Sequence, residues 1–246
     1  MQADTPLVSA FEPSPNFGER KLGIDMLILH YTATKSAEDA ICWLCDEKSQ
    51  VSAHYLIDEK GKITQMVREA DRAWHAGLSS WQGQTDTNSR SIGIEIQHEA
   101  DTPTPYKKKQ INSLIHLTAD ILKRNPHIPA HHVLGHSDVA VGRKQDPGAW
   151  FPWEDLARAG IGLYVRPHPI VPGPFLQLND QGQPIEALQS MLALYGYGVE
   201  INGIYDEHTE KVVKAFQMHF RPEKVDGIAD RSTVETLVEL LRSIKK

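Results

Sequence analysis

Hydrophobic and polar positions along this chain follow rhythms that change from segment to segment. In "KLGIDMLILHYT" the apolar residues run without a helical period, which predicts a buried strand whose far end carries His30 and Tyr31. "SAHYLIDEKGKITQMV" alternates on either side of Lys60-Gly61 and predicts a hairpin. "SIGIEIQ" predicts a further strand, with Glu95 set among apolar neighbours. Before it lies a polar stretch containing "AWHAGLSSWQGQTDTNSR", too long for a simple turn, and long loops inside compact domains tend to carry function. "KKKQINSLIHLTADILKRN" switches to a helical period that puts Ile111, Leu114, Ile115, Thr118, Ile121 and Leu122 on one face, and Asn125-Pro126 ends it. A shorter helix is expected in "SAEDAICWLCDE", capped by Ser36 with Asp39 completing a capping box, and with Ile41, Cys42 and Cys45 on its buried face. "HHVLGH" then reads as a short strand that delivers His136 at its exit. Strands alternating with helices predict an α/β domain with a mixed central sheet flanked by helices.

The pattern breaks at "RPHPIVPGPF", where four prolines fall between residues 167 and 174, and a semi-rigid linker is expected over residues 167–179. Beyond it, "NGIYDEHTEKVV" at 202–213 and "DGIADRSTVETL" at 226–237 share Gly-Ile-x-Asp-x-x-Thr at the same offset, a small internal repeat in which each copy reads as a turn feeding a helix. With "IEALQSMLALYGYGV" ahead of them, residues 180–246 are expected to form a small three-helix domain. Residues 1–166 are expected to form the larger one.

Composition adds exclusions. The share of hydrophobic residues, 40%, and of charged ones, 24%, is that of an ordinary globular protein. A net charge of -6 argues against nucleic acid as a partner, because phosphates select basic surfaces. No apolar run approaches the roughly 20 residues of a transmembrane helix. The spacing of Cys42 and Cys45 matches a redox pair, but such a pair normally opens a helix and this one lies inside it, so core packing is the reading preferred.

The densest chemistry lies in "HSDVAVGRKQDPG", residues 136–148, where glycines and a closing Pro-Gly leave little room for regular structure. His30 and His136 each end a predicted strand, where ligands and catalytic groups collect in open sheets. Each could equally be a core histidine bonded to backbone. A mononuclear catalytic zinc needs three ligands and one open position, and Asp146 offers a third ligand ten residues after His136.

"MLILHYTAT", "SAHYLI", "AWHAG", "SIGIEI" and "GHSDVAVGRKQDPG" resemble, in order from about residue 11 to residue 165, the successive motifs of type-2 N-acetylmuramoyl-L-alanine amidases, AmpD-like zinc enzymes related to peptidoglycan recognition proteins. The tail, with "LQSMLALYGYGV", "NGIYD" and "FQMHF", is similar to a small helical peptidoglycan-binding module. The resemblance implies one Zn2+ per chain held by His30, His136 and Asp146, with Glu95 and Lys144 as catalytic helpers. It implies hydrolysis of the amide between N-acetylmuramic acid and L-alanine in peptidoglycan or its fragments, for wall remodelling or recycling. Trp74, His75 and the loop around Asn88 are candidates to line the stem-peptide site, with ordinary loop packing the alternative for Trp74, and Arg143 either pairs with a stem carboxylate or is a surface arginine. Arg90 departs from the Asp or Thr usual before "SIGIE", which bears on sugar or peptide selection. Asp138 either orients a ligand histidine or caps a turn. Tyr195 and Tyr197 either form a wall-binding groove or belong to the helical core, and Phe216 is assigned to the core.

A monomer is expected. The segment "MQADTPLVSAFEPSPNFGER" has no basic start followed by an apolar stretch, so the expected location is the cytoplasm if this terminus is native, and the cell envelope, periplasm or outer membrane, if an export signal preceded it. Two other functions share the motifs: a recognition protein that binds wall fragments without cutting them, and a zinc peptidase acting inside the stem peptide.

Overall fold

A computed structural model of the chain describes residues 2–100 and 102–244. Its elements run β1 (Ala10–Phe11), β2 (Phe17–Glu19), β3 (Met26–Tyr31), α1 (Ala37–Leu44), β4 (Tyr55–Ile57), β5 (Ile63–Gln65), β6 (Asp71–Ala73), α2 (Thr87–Arg90), β7 (Ser91–Ile96), α3 (Lys108–Arg124), β8 (Val133–Gly135), α4 (His136–Val139), α5 (Trp153–Arg158), β9 (Phe175–Leu176), α6 (Gln183–Tyr195), α7 (Glu207–Phe220), β10 (Ala229–Asp230) and α8 (Arg231–Ile244). Six strands form one sheet in the order β1-β5-β4-β7-β3-β8. Only the β4–β5 hairpin is antiparallel within it.

The two-residue period of strands decides what each face of the sheet carries. Leu27 and Leu29 of β3 and Ile92, Ile94 and Ile96 of β7 point to one side, where Ile111, Leu114, Leu117 and Ile121 of α3 cover them. The alternate residues Met26 and Ile28 join a different core that includes Val212, Val213, Phe216 and Phe220 of α7. The next residue on that side of β3 is His30, and its register partner on β7 is Glu95. On the same side, α1 packs Ala37, Ala40 and Leu44 onto Leu56 and Met66. The sheet is therefore covered by α3 on one face and by α1 and the C-terminal helices on the other. A cleft opens between the last two, over the ends of β3 and β7.

The buried face of α1 differs from the expectation. Small residues let this helix approach the sheet along Ala37–Ala40–Leu44, so Cys42 is exposed while Ile41 and Cys45 only touch the edge of the cluster. Burial pushes the Cys45 thiol up to about 11, so it is held as the thiol. Both cysteines are free.

The repeat in the tail has a physical basis that its sequence pattern shows only in part. Asp206 and Asp230 accept from the backbone N–H of Thr209 and Thr233, an N-cap contact in each case. Gln189 and Gln217, buried on the preceding helices, complete the two turns. Each side-chain oxygen accepts two turn N–H groups, and each amide donates to the threonine hydroxyl and to a turn carbonyl. Two buried amides thus satisfy two loops that would otherwise carry unpaired backbone groups.

The C-terminal helices dock rather than dangle. Trp81, fully buried, meets Tyr195 and Tyr197 edge-on at ring-centroid distances of 5.5 and 5.2 Å. Phe216 is fully buried and the two tyrosines nearly so, which assigns all three to the core and leaves no groove made of them. Asp138, also fully buried, accepts from Gly135 N–H, from the Tyr197 hydroxyl at 2.6 Å and from His219 Nδ1 at 2.8 Å. It caps its own turn and holds the C-terminal helices. Arg90 is likewise structural: its guanidinium pairs with Asp25 and donates to the Trp81 carbonyl.

Candidate metal centre and its cleft

His30 leaves the end of β3, His136 the end of β8, and Asp146 the loop that follows α4. The three side chains converge although 116 residues separate the first from the last. His30 Nδ1 and His136 Nδ1 lie 3.0 Å apart, and Asp146 Oδ2 lies 2.8 and 2.9 Å from them. All three residues are buried.

The outer nitrogens determine what the inner ones present. Ser91 Oγ donates to the Thr87 carbonyl at 2.6 Å, so it must accept from His75 Nε2 at 3.1 Å. His75 Nδ1 is then an acceptor, and His30 Nε2 donates to it at 3.0 Å. His30 Nδ1 is left as a bare lone pair facing the centre. His136 Nε2 faces the Ala76 carbonyl at 3.0 Å and can only donate there, which frees its Nδ1 in the same way. Two imidazole lone pairs and a carboxylate oxygen thus point at one place. Burial lowers His30 to about 4 and His75 well below its ordinary value, which keeps both rings neutral near pH 7. Three converging acceptors with no proton among them repel one another, and a divalent cation is the partner that suits this donor set. Among the described residues this is the one cluster of histidine, cysteine or acidic side chains close enough to hold a metal ion.

Gly93 makes the relay possible. A Cβ there would lie 2.5 Å from the ring of His75, so no larger residue fits beneath that imidazole. Asn88 positions the same loop from below. Its side-chain oxygen accepts from His75 N–H and Ala76 N–H, so it acts on the cleft through the loop it holds.

The cleft encloses about 720 Å³. Glu95 lies at its floor, with one carboxylate oxygen buried and unpaired among the described residues. Burial first, and then the charge of Asp146, raise its carboxyl well above the ordinary value, while Lys144 acts in the opposite direction. Lys144 is exposed on the rim and makes no ion pair among the described residues. Arg143 also lines the rim, but its guanidinium is held by the carbonyls of Ala76 and Leu78. Trp74, half-buried, and His75, buried, also line the cleft.

Other lining residues carried no local sequence signal for this site. Trp43 of α1 is 58% exposed and faces the opening. Lys211, Lys214 and Met218 come from α7, more than 60 residues beyond the loop that carries Asp146. Their spacing marks one helix face, but nothing near them indicates what that face meets.

Residues 20–149 match the family described as N-acetylmuramoyl-L-alanine amidase, and residues 181–237 match a putative peptidoglycan binding domain. N-acetylmuramoyl-L-alanine amidase AmiD of Escherichia coli (strain K12) is 37% identical over 235 residues, spanning 88% of this chain and 83% of that protein. The solved E. coli AmiD, in complex with anhydro-N-acetylmuramic acid-L-Ala-D-gamma-Glu-L-Lys, aligns with a TM-score of 0.76 at 35% identity over 89% of each chain. Pseudomonas aeruginosa AmpDh3 in complex with an anhydromuramic pentapeptide aligns with a TM-score of 0.75 at 32% identity, over 95% of this chain and 96% of that one. With this architecture and this centre, the chain belongs to the N-acetylmuramoyl-L-alanine amidase family.

Proposed function

We propose that this chain hydrolyses the amide joining the lactyl group of N-acetylmuramic acid to L-alanine in peptidoglycan fragments, with His30, His136 and Asp146 holding one Zn2+. The observation that carries the reading is the convergence of two imidazole lone pairs and a carboxylate beside an unpaired Glu95 carboxylate oxygen. A bound cation supplies Lewis-acid activation of the water and of the amide carbonyl.

The remaining steps belong to the protein's own groups. Glu95 accepts the proton of the attacking water and returns it to the leaving alanine nitrogen, a role suited to a carboxyl tuned upward by burial. Lys144, on the rim beside Asp146, faces the negative charge that develops on the carbonyl oxygen. Trp74 offers an apolar wall and Arg143 a cationic edge for the glycopeptide. All these groups come from a single chain, so a monomer suffices. The peptidoglycan-binding match, together with the amidase fold, favours work in the cell envelope on released fragments or on the wall itself. No described helix is long and apolar enough to cross a membrane.

Mass spectrometry of digested muropeptides tests the bond. Free peptides beginning with L-alanine support the amidase reading, whereas stems shortened from within would replace it with a peptidase.

A further inference from the structure

The cleft has two unlike walls. On one side stand Trp43 and Trp74. On the other, α7 presents Lys211, Lys214 and Met218 at helical spacing i, i+3 and i+7, which puts the three on one face. Apart from the groups at its floor, the charged residues that line the opening are Arg143, Lys144, Lys211 and the half-buried Lys214, all positive, in a chain whose net charge is -6; Glu207 and Glu210 lie against the last two. The acidic residues of the lining, Glu95 and Asp146, lie at the floor.

Both α7 lysines have anchored stems. A Cβ on Gly142, in the loop that leads to Lys144 and Asp146, would lie 2.7 Å from the Lys211 side chain. Lys211 therefore lies directly over that catalytic loop. A Cβ on Gly227 would lie 2.8 Å from Cε of Lys214. The ammonium groups remain available: Lys211 reaches Glu207 only at 3.8 Å, and Lys214 spends one donor on Glu210 at 3.0 Å. Such exposed pairs are weak and exchange readily for another carboxylate.

We propose that Lys211 and Lys214 bind the carboxylates of the stem peptide, so that the C-terminal helical unit forms part of the substrate site as well as a wall-binding module. The assignment rests on the cleft being the amidase site. A stem that carries L-Ala-D-γ-Glu-L-Lys has two free carboxylates, one on the γ-linked glutamate and one at its C-terminus. Two ammonium groups on one wall match that number.

The test uses the full chain and two probes: N-acetylmuramoyl-L-Ala-D-γ-Glu-L-Lys with both carboxylates free, and the same compound with both as amides. Wild type, the double variant Lys211→Met with Lys214→Met, and the double variant with arginine at both positions are compared by KM and by calorimetric Kd on metal-free protein. The methionine variant should lose about five- to tenfold of the preference for the free-carboxylate probe, the arginine variant should retain it, and added salt should erode it in the wild type. Equal effects on both probes, or none, overturn the proposal. If the wild type binds with lysine-dependent preference yet cuts neither probe at the lactyl amide, the amidase reading fails and the lysine site stands. If the wild type cuts and the methionine variant keeps the preference, the lysine site fails alone.

Discussion

Nδ1 of His75 sits 3.0 Å from Nε2 of His30, and this contact decides which nitrogen of His30 turns toward the centre. His75→Ala removes the acceptor while leaving all three proposed ligands in place. Zinc affinity should drop about 10–100-fold, as it does when partners of ligand histidines are lost. Competition with a chromogenic chelator measures this. Gly93→Ala should give a similar loss, because its methyl group would displace the His75 ring. Wild-type affinity in both variants would remove the relay from the account.

Glu95→Gln separates binding from chemistry. Turnover should fall by about 10²–10⁴ while zinc content stays at the wild-type level. Loss of the metal instead would make Glu95 part of the binding set.

The same substitution has a stability signature in metal-free protein. Burial and the Asp146 charge raise the Glu95 carboxyl, so folding favours its protonated form. That contribution is present in acid and is lost as pH rises beyond the ordinary carboxylate range toward the raised value. Melting of metal-free wild type should therefore fall relative to the glutamine variant as pH rises above the ordinary carboxylate range. Parallel melting curves over that rise would contradict the environment assigned to Glu95.

Asp138 ties the C-terminal helices to the turn that starts at Gly135. Asp138→Ala leaves the Tyr197 hydroxyl, His219 Nδ1 and Gly135 N–H buried without their acceptor and should cost about 3 kcal/mol; Tyr197→Phe removes one bond of the set and should cost about 1 kcal/mol. Scanning calorimetry should show one transition for the whole chain, since Trp81, Leu134 and Val139 share a core with α6, α7 and α8. Two separated transitions would show that the helices fold independently.

Much of the site was legible because strands write their faces plainly. His30 and Glu95 each interrupt an apolar run, and their register across β3 and β7 follows from two parallel strands of equal length. The loop from His136 to Gly148 was legible from its composition. What local patterns lack is the identity of partners distant in the chain. "AWHAG" does not show that His75 sets a tautomer, because that depends on Ser91 and Thr87 meeting its far edge. Asp138 reads as a turn cap, which it is, but its two long-range bonds to α7 and to the Tyr197 segment have no local signature. Tyr195 and Tyr197 look like candidate binding aromatics until Trp81 is found against them. Cys42 is exposed for a related reason: two alanines, weak in hydrophobicity but small, set the side on which α1 approaches the sheet.

The most direct measurement is a zinc titration of metal-free protein, following release of the peptide from N-acetylmuramoyl-L-Ala-D-γ-Glu-L-Lys by mass spectrometry, with Asp146→Ala run alongside. The account predicts that activity returns in step with one bound ion per chain, that the product begins with L-alanine, and that the variant neither retains zinc nor turns over. Release of the same peptide in the presence of excess chelator, or by the variant at the wild-type rate, would contradict it.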